Sequence, residues 1–93
     1  MQESDSAFRA LSDRTRREIL RLLSARPHTV GALVERFDLS QPAISRHLAV
    51  LRQAGLVLAE RQGQNVVYTL DSTVFQDLVR ALLELAGKKR NSK

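Results

Sequence analysis

Apolar residues fall along this chain of 93 residues in two different rhythms. Up to Gln53 the spacing is helical. Ser4–Leu11 carries Phe8 and Leu11 on a short helical candidate. Ser12-Asp13 then offers an N-cap. The helix after it sets Ile19, Leu20, Leu22 and Leu23 among Arg14, Arg16, Arg17, Glu18 and Arg21, an apolar face under a charged one. It is expected to stop near Ala25, since Pro27 cannot continue a helix and disfavours helical dihedrals at Arg26. Thr29 caps a further short helix, Val30 to Phe37, with Leu33, Val34 and Phe37 inward. A tight turn at Asp38-Leu39-Ser40 follows. Ser40 is a good N-cap, and Pro42 falls in the first turn, where its missing N–H costs nothing. This helix is expected to run to about Ala54, with Gly55 as a left-handed terminator.

Beyond Gly55 the rhythm changes. Leu56–Ala59 and Val66–Leu70 are β-prone runs around a polar, Gly-containing stretch, Glu60–Asn65, and predict a hairpin. Ser72–Gly87 is dense in apolar residues and reads as a last helix. The order α-α-α-α-β-β-α is mainly α with a β-hairpin wing, that of a winged helix-turn-helix. One domain over 1–93 is expected, with loose ends at 1–5 and 88–93.

The helix after Ser40 can be read face by face. At 100° per residue, Ile44, Leu48 and Leu51 share one stripe, which must face the core. The opposite side carries Pro42, Ser45, Arg46, Ala49 and Gln53, with Gln41 beside it at the helix start. Small residues let a helix backbone enter a groove about 12 Å wide, and Gln and Arg suit the edges of adenine and guanine. The N–H groups at the helix start also suit a phosphate. An ordinary surface helix with a bland polar face has the same composition.

Charge adds less than its total suggests. The formal net charge is +5, but four of the fifteen basic residues are Lys88, Lys89, Arg90 and Lys93. Residues 1–87 therefore hold eleven basic groups against ten acidic ones. Distribution is more telling: Leu39–Ala59 contains no Asp or Glu but does contain Arg46 and Arg52. There is no cysteine, which excludes disulfides, thiolate metal sites and cysteine nucleophiles. Apolar runs are too short to span a bilayer, and the polar, acidic start MQESDSAF is unlike a signal peptide. A soluble cytoplasmic protein is the expectation, without membrane insertion.

Three separated stretches carry a family resemblance. Leu39–Val57, with Ser40-Gln41-Pro42-Ala43-Ile44-Ser45-Arg46-His47-Leu48, resembles the recognition region of the ArsR family of bacterial repressors. Ala10–Leu20 is similar to that family's opening signature, with Arg14 where Pro is common. Arg61–Leu70 is similar to its wing. The resemblance covers about residues 7–86 without gaps. It implies a homodimer that represses transcription from an inverted-repeat operator in double-stranded DNA. Family DNA contacts carry over to Gln41, Pro42, Ser45 and Arg46. Gln41 and Arg46 are then base readers, Ser45 a phosphate or base contact, Pro42 a packing contact, and Ser40 primarily the cap. Arg52 is either a phosphate contact or a solvated rim residue. In the wing, Arg61, Gln64 and Asn65 reach backbone or minor groove, unless the wing only packs.

Many members of the family sense metals. The Cys-x-Cys site of such sensors matches Thr29 and Gly31 here, and the Asp/His/Glu site on the last helix matches Ser72, Val74, Leu85 and Lys88. None is a plausible ligand. His28, after Pro27, reads as a solvated turn residue, and His47 as structural or a phosphate neighbour. No metal site or cofactor is expected, which resembles the SdpR-like, ligand-free autorepressor branch. Whether an unrecognised ligand or a sequestering protein partner lifts repression is left open.

On the last helix Val74, Leu78, Leu82 and Leu85 form one apolar stripe, and Phe75, Val79, Leu83 and Ala86 form another beside it. That is more than one surface helix usually buries. The first stripe, with Phe8 and Leu11, is assigned to a two-fold dimer interface that would place two recognition helices in successive major grooves about 34 Å apart. An enzyme is excluded by the lack of a nucleophile–base pair, a phosphate loop or paired carboxylates. Asp71 and Asp77 are expected to cap or to stay solvated. RNA recognition usually displays stacking aromatics, and here the pattern is expected to place the phenylalanines inward. A winged helix that binds a protein partner is the better rival, opposed by the acid-free stretch and Arg46.

Overall fold

A computed structural model describes the backbone of residues 2–91 and the side chains of 5–87. Most of the ends expected to be loose, 1–4 and 88–93, lie outside the described side chains. Helix α1 (Gln2–Ala10) leads into α2 (Arg14–Ala25), a short strand β1 (His28–Thr29), α3 (Val30–Val34) and α4 (Gln41–Gln53). Strands β2 (Val57–Gln62) and β3 (Asn65–Leu70) follow, and α5 (Ser72–Asn91) ends the described chain. This is the winged helix-turn-helix order expected, with one strand more.

The helix starts are set by side chains that take up orphan N–H groups. Asp13 accepts from the Arg16 N–H at 3.0 Å, Thr29 from Ala32 at 3.1 Å and Ser40 from Ala43 at 3.3 Å. Asp71 accepts from the Thr73 N–H at 3.0 Å, which makes it the cap of α5. The end of α4 is equally defined. The Leu56 N–H donates back to the Leu51 carbonyl and the Gly55 N–H to that of Arg52, both at 3.0 Å. These two bonds form a Schellman motif, and Gly55 occupies its left-handed position at φ +79°.

The core forms where the helical stripes meet the sheet. Ile19, Leu33, Ile44, Leu48, Leu51, Leu56 and Val57 are its largest fully buried side chains. The α4 stripe read from the sequence is thus the buried one. Each such side chain contributes about 1.5–3 kcal/mol relative to exposure.

Three expectations need correction. α3 is shorter than Val30–Phe37. After Val34 the chain tightens into bonds from Arg36 to Leu33 and from Phe37 to Val34, so Phe37 still packs on the core from a turn. The polar stretch Glu60–Asn65 is mostly strand rather than turn. Pairing runs from Val57↔Leu70 to Gln62↔Asn65 and leaves only Gly63-Gln64 to connect β2 and β3. Gly63 has φ +64° and no other residue near it has a positive φ, the pattern of a type II′ turn, whose twist matches the strands. Finally, His28 is not a solvated turn residue. It lies in β1, opposite Tyr68, in a sheet of order β1-β3-β2. It is 6 % exposed, with Nδ1 2.9 Å from the Arg26 carbonyl oxygen.

Two outcomes follow for stability. A Cβ at residue 55 would sit 3.2 Å from Val74 Cγ2 in a conformation that L residues avoid. Gly55→Ala is expected to destabilise by about 1–2 kcal/mol, read as a fall in melting temperature of roughly 4–8 °C per kcal/mol. The second outcome concerns acid. The Arg16 backbone N–H, helped by the nearby His47 and the Arg16 charge, holds the Asp13 carboxyl below its ordinary range. A depressed folded-state pKa stabilises above the unfolded-state value and loses that contribution as the pH falls through the folded one. Asn at residue 13 still caps but does not titrate. The stability difference between wild type and Asp13→Asn should therefore shift against the wild type as the pH falls below about 4. Urea titrations across pH would check it.

Candidate nucleic-acid interface

α4 is pinned by Ile44, Leu48 and Leu51, so its opposite face is open. Gln41, Pro42, Ser45, Arg46, Ala49, Arg52 and Gln53 are all exposed. Among the described residues, the side chains of Arg46 and Arg52 take part in no hydrogen bond or ion pair. Both guanidinium groups therefore keep all their donors for a ligand. The helix start offers a phosphate less than its dipole suggests. Pro42 has no N–H, the Ala43 N–H is taken by Ser40 Oγ and the Ile44 N–H by the Ser40 carbonyl at 3.1 Å. Of the first turn, only the Gln41 N–H is left. Ser40 itself acts as the cap, as expected.

Register sorts the wing residues. Directly paired residues share a face of a sheet, and neighbours along a strand alternate. Arg61 pairs with Val66, Ala59 with Tyr68 and Val57 with Leu70. Val57 is fully buried, so this is the inner face, and Arg61 extends it past the core. Gln62 and Asn65 pair on the outer face, with Gln64 in the turn between them. The structure thus puts Arg61 on the α4 side of the wing and Asn65 on the far side.

Two arginines that the sequence reading left on a charged outer face are structural. Arg16 Nε donates to the Ala10 carbonyl at 2.7 Å, and its Nη2 lies 3.4 Å from that of Arg9. Arg17 Nη1 donates to the Leu11 carbonyl at 2.7 Å. The Ala10 and Leu11 carbonyls are ones that the end of α1 leaves without helical partners, while that of Arg9 also accepts from Ser12. Arg16 Nη1 also reaches His47 Nδ1 on α4 at 3.4 Å. Because the arginine donates, that ring nitrogen accepts. His47 is half-buried against α2, which favours its structural reading. The signal was present in the sequence: two arginines in the first turn of a helix that follows a helix end lacking a glycine.

The assigned interface residues divide. Leu78 is 3 % exposed and belongs to the protomer's own core, where it is not available to a partner. Val74, Phe75 and Leu11 are half-buried against that core. Phe8, Val79, Leu82, Leu83 and Leu85 are exposed, Leu85 to 66 %. The positions matching the family's metal ligands are Thr29, which caps α3, Gly31, Ser72, half-buried Val74 and Leu85. Lys88 lies outside the described side chains. Among the described residues, no three His, Cys, Asp or Glu side chains are placed to hold a metal ion. No described helix is long and apolar enough to cross a membrane.

A helix anchored by one apolar stripe, with an acid-free face bearing free arginines beside a two-stranded wing, defines a DNA-binding winged-helix domain. Its relatives narrow this further. Residues 13–58 match the model of the bacterial regulatory proteins of the arsR family. The chain is 41% identical over 87 residues to the transcriptional repressor SdpR of Bacillus subtilis, covering 94% of this chain and 97% of that one. It is 43% identical over 78 residues to the transcriptional activator HlyU of Vibrio cholerae, covering 84% and 68%. Among solved structures, an ArsR-like transcriptional regulator from Rhodococcus sp. RHA1 superposes with a TM-score of 0.86 at 31% identity, covering 98% of this chain and 86% of that one. The chain belongs to the ArsR family. It is a DNA-binding transcriptional regulator and not an enzyme.

Proposed function

We propose that this protein represses transcription as a cytoplasmic homodimer on an inverted-repeat operator, and that it does so without the family's metal sites. The observation that carries the reading is the open face of α4. Gln41 and Arg46 stand on it as base readers, Ser45 as a phosphate or base contact and Pro42 as a packing surface. Arg61 supports the wing's approach to the backbone or the minor groove, joined by Gln64 at the turn and Asn65 on the outer face. A domain of this size can occlude polymerase, and a relative similar along nearly its whole length is a repressor.

The dimer reading is supported by the apolar side chains that one protomer leaves bare. Phe8 on α1 and Val79, Leu82, Leu83 and Leu85 on α5 form more exposed apolar surface than scattered single residues account for. A second copy brought onto that face by a two-fold axis covers the same residues on both sides. Metal control is disfavoured because the matching positions carry a capping threonine, a glycine, a serine, a valine and a leucine, none of which binds a soft or borderline metal.

Selection of bound sequences from a random duplex pool tests the whole reading. It should return two related half-sites in inverted orientation, with centres about one helical turn apart. Non-repeated or unrelated sequences would overturn it. Arg46→Ala should cost about 1–3 kcal/mol of operator binding at matched salt and relax the preference at one position of each half-site. An unchanged affinity removes Arg46 from the reading surface. For the dimer, the double variant Leu82→Glu, Leu85→Glu should raise the dimer dissociation constant by at least ~100-fold, given what two buried leucines contribute. Sedimentation of wild type and variant at micromolar concentration reads this directly, and a wild type that sediments only as monomer would defeat it.

A further inference from the structure

Between α4 and the wing lies an open cleft of about 460 Å³, lined by Ser45, Ala49, Arg52, Gln53 and Tyr68. We propose that it seats a phosphodiester of the DNA strand that separates the groove entered by α4 from the groove beneath the wing, and that Tyr68 is a phosphate-binding residue. The proposal rests on the DNA-binding reading and adds a site and a residue to it.

Its chemistry comes from the residues that meet there. Ser45, Ala49 and Arg52 stand four and three residues apart, on one stripe of the helix. Ser45 supplies a hydroxyl, Arg52 a guanidinium and Gln53 an amide. Ala49, between Ser45 and Arg52, is small enough to leave the floor open. Tyr68 enters from β3, the central strand, where His28 on one side and Ala59 on the other fix its position. Its ring is half-buried against the core. Tyrosine hydroxyls usually find a partner when their rings are buried. Among the described residues, the side chains of Ser45, Arg52, Gln53 and Tyr68 make no hydrogen bond within the protein. Four unengaged donors thus line one hollow, and one of them is cationic.

Acidic groups are kept out of it. The nearest carboxylate along the strand is that of Glu60, which pairs with Val67 and so lies on the opposite face of the sheet from Ala59 and Tyr68. Arg61 returns to the cleft side and extends the same positive track towards the wing tip. A phosphodiester presents two anionic oxygens, and those two can accept from a guanidinium and a hydroxyl together. A base edge is a poorer fit, because a cleft between helix and wing faces the strand that borders the groove rather than its floor. Arg52, which had two readings from the sequence, is therefore a phosphate contact.

Operator duplex and random duplex, titrated with wild type, Tyr68→Phe and Arg52→Gln across a salt series, test this. Tyr68→Phe should weaken binding to both duplexes by about threefold to tenfold, with the half-site preference and the melting temperature unchanged. Arg52→Gln should weaken both and make the slope of log K against log salt shallower by about one. A single methylphosphonate at the phosphodiester in the cleft should weaken wild type more than it weakens either variant. The phosphate seat falls if wild type binds operator normally while both variants match it in affinity and slope. It also falls if methylphosphonate effects are the same in all three proteins at every position. If wild type binds no duplex at any salt, the DNA-binding reading fails and the seat with it.

Discussion

α4 has to be held rigidly and left bare at once, and three side chains make that possible. Ile44, Leu48 and Leu51 are fully buried and lie along one narrow stripe. Around them the core is completed by side chains from other elements: Ile19 from α2, Leu33 from α3, and Leu56 and Val57 at the start of the wing. The face of α4 opposite that stripe is not needed for packing, so it can carry Gln, Ser, Ala and Arg. A second apolar stripe on α4 would hold it more firmly and remove the surface proposed to touch DNA. The Schellman bonds at Gly55 then turn the chain directly into β2. The angle between helix and wing is set by that turn and not by a flexible loop.

A core this small leaves the junctions between helices to hydrogen bonds. With no cysteine, there is no covalent staple, and the domain falls in the size range where the hydrophobic core alone is marginal. Arg16 and Arg17 fill the gap at the α1–α2 corner by taking the carbonyls of Arg9, Ala10 and Leu11. Arg16 goes on to touch His47, so one side chain joins α1, α2 and α4. α1 is the same helix that borders the bare apolar face with Phe8. The position of the recognition helix and the position of that face are thus tied to one another through a guanidinium.

Legibility in the sequence followed the range of the interaction. The caps at Asp13, Thr29 and Ser40, the stop at Gly55 and the buried stripe of α4 are local, since each depends on residues within a few positions of one another. All were readable. β1 was not, because His28-Thr29 is strand only by virtue of Tyr68 and Val67, some forty residues away. No local propensity marks a two-residue strand, and Pro27 argued for a turn. The extent of the wing was missed for a related reason: the ladder from Arg61 to Asn65 is held by backbone pairing, while the side chains there are polar and look like loop. At the proposed site, the exposure of Gln41, Ser45 and Arg46 could be read from helical periodicity alone. Tyr68 could not, since its nearness to Arg52 exists only once β3 folds beside α4. The apolar stripe of α5 was read as one face, but the fold splits it, taking Leu78 into the core and leaving Leu82 and Leu85 outside.

Within residues 1–87, affinity for a polyanion must come from placement rather than total charge, because these residues together are close to neutral. Attraction by exposed charges fades over a Debye length, about 8 Å at physiological salt, so only groups beside the DNA count. Several carboxylates are occupied well away from α4's open face. Asp13 and Asp71 cap helices, Glu18 pairs with Arg21, and Asp77 pairs with Arg80 at 3.2 Å. Glu60 is turned to the outer face of the wing by the register of β2. What remains on the inner surfaces of α4 and the wing is Arg46, Arg52 and Arg61, with no carboxylate between them in the sequence before residue 60. The pairing of acids elsewhere is therefore part of the DNA-binding design. Had the same ten acidic residues been scattered over α4 and the inner wing face, composition and net charge would be identical and the field at the phosphates would be reversed.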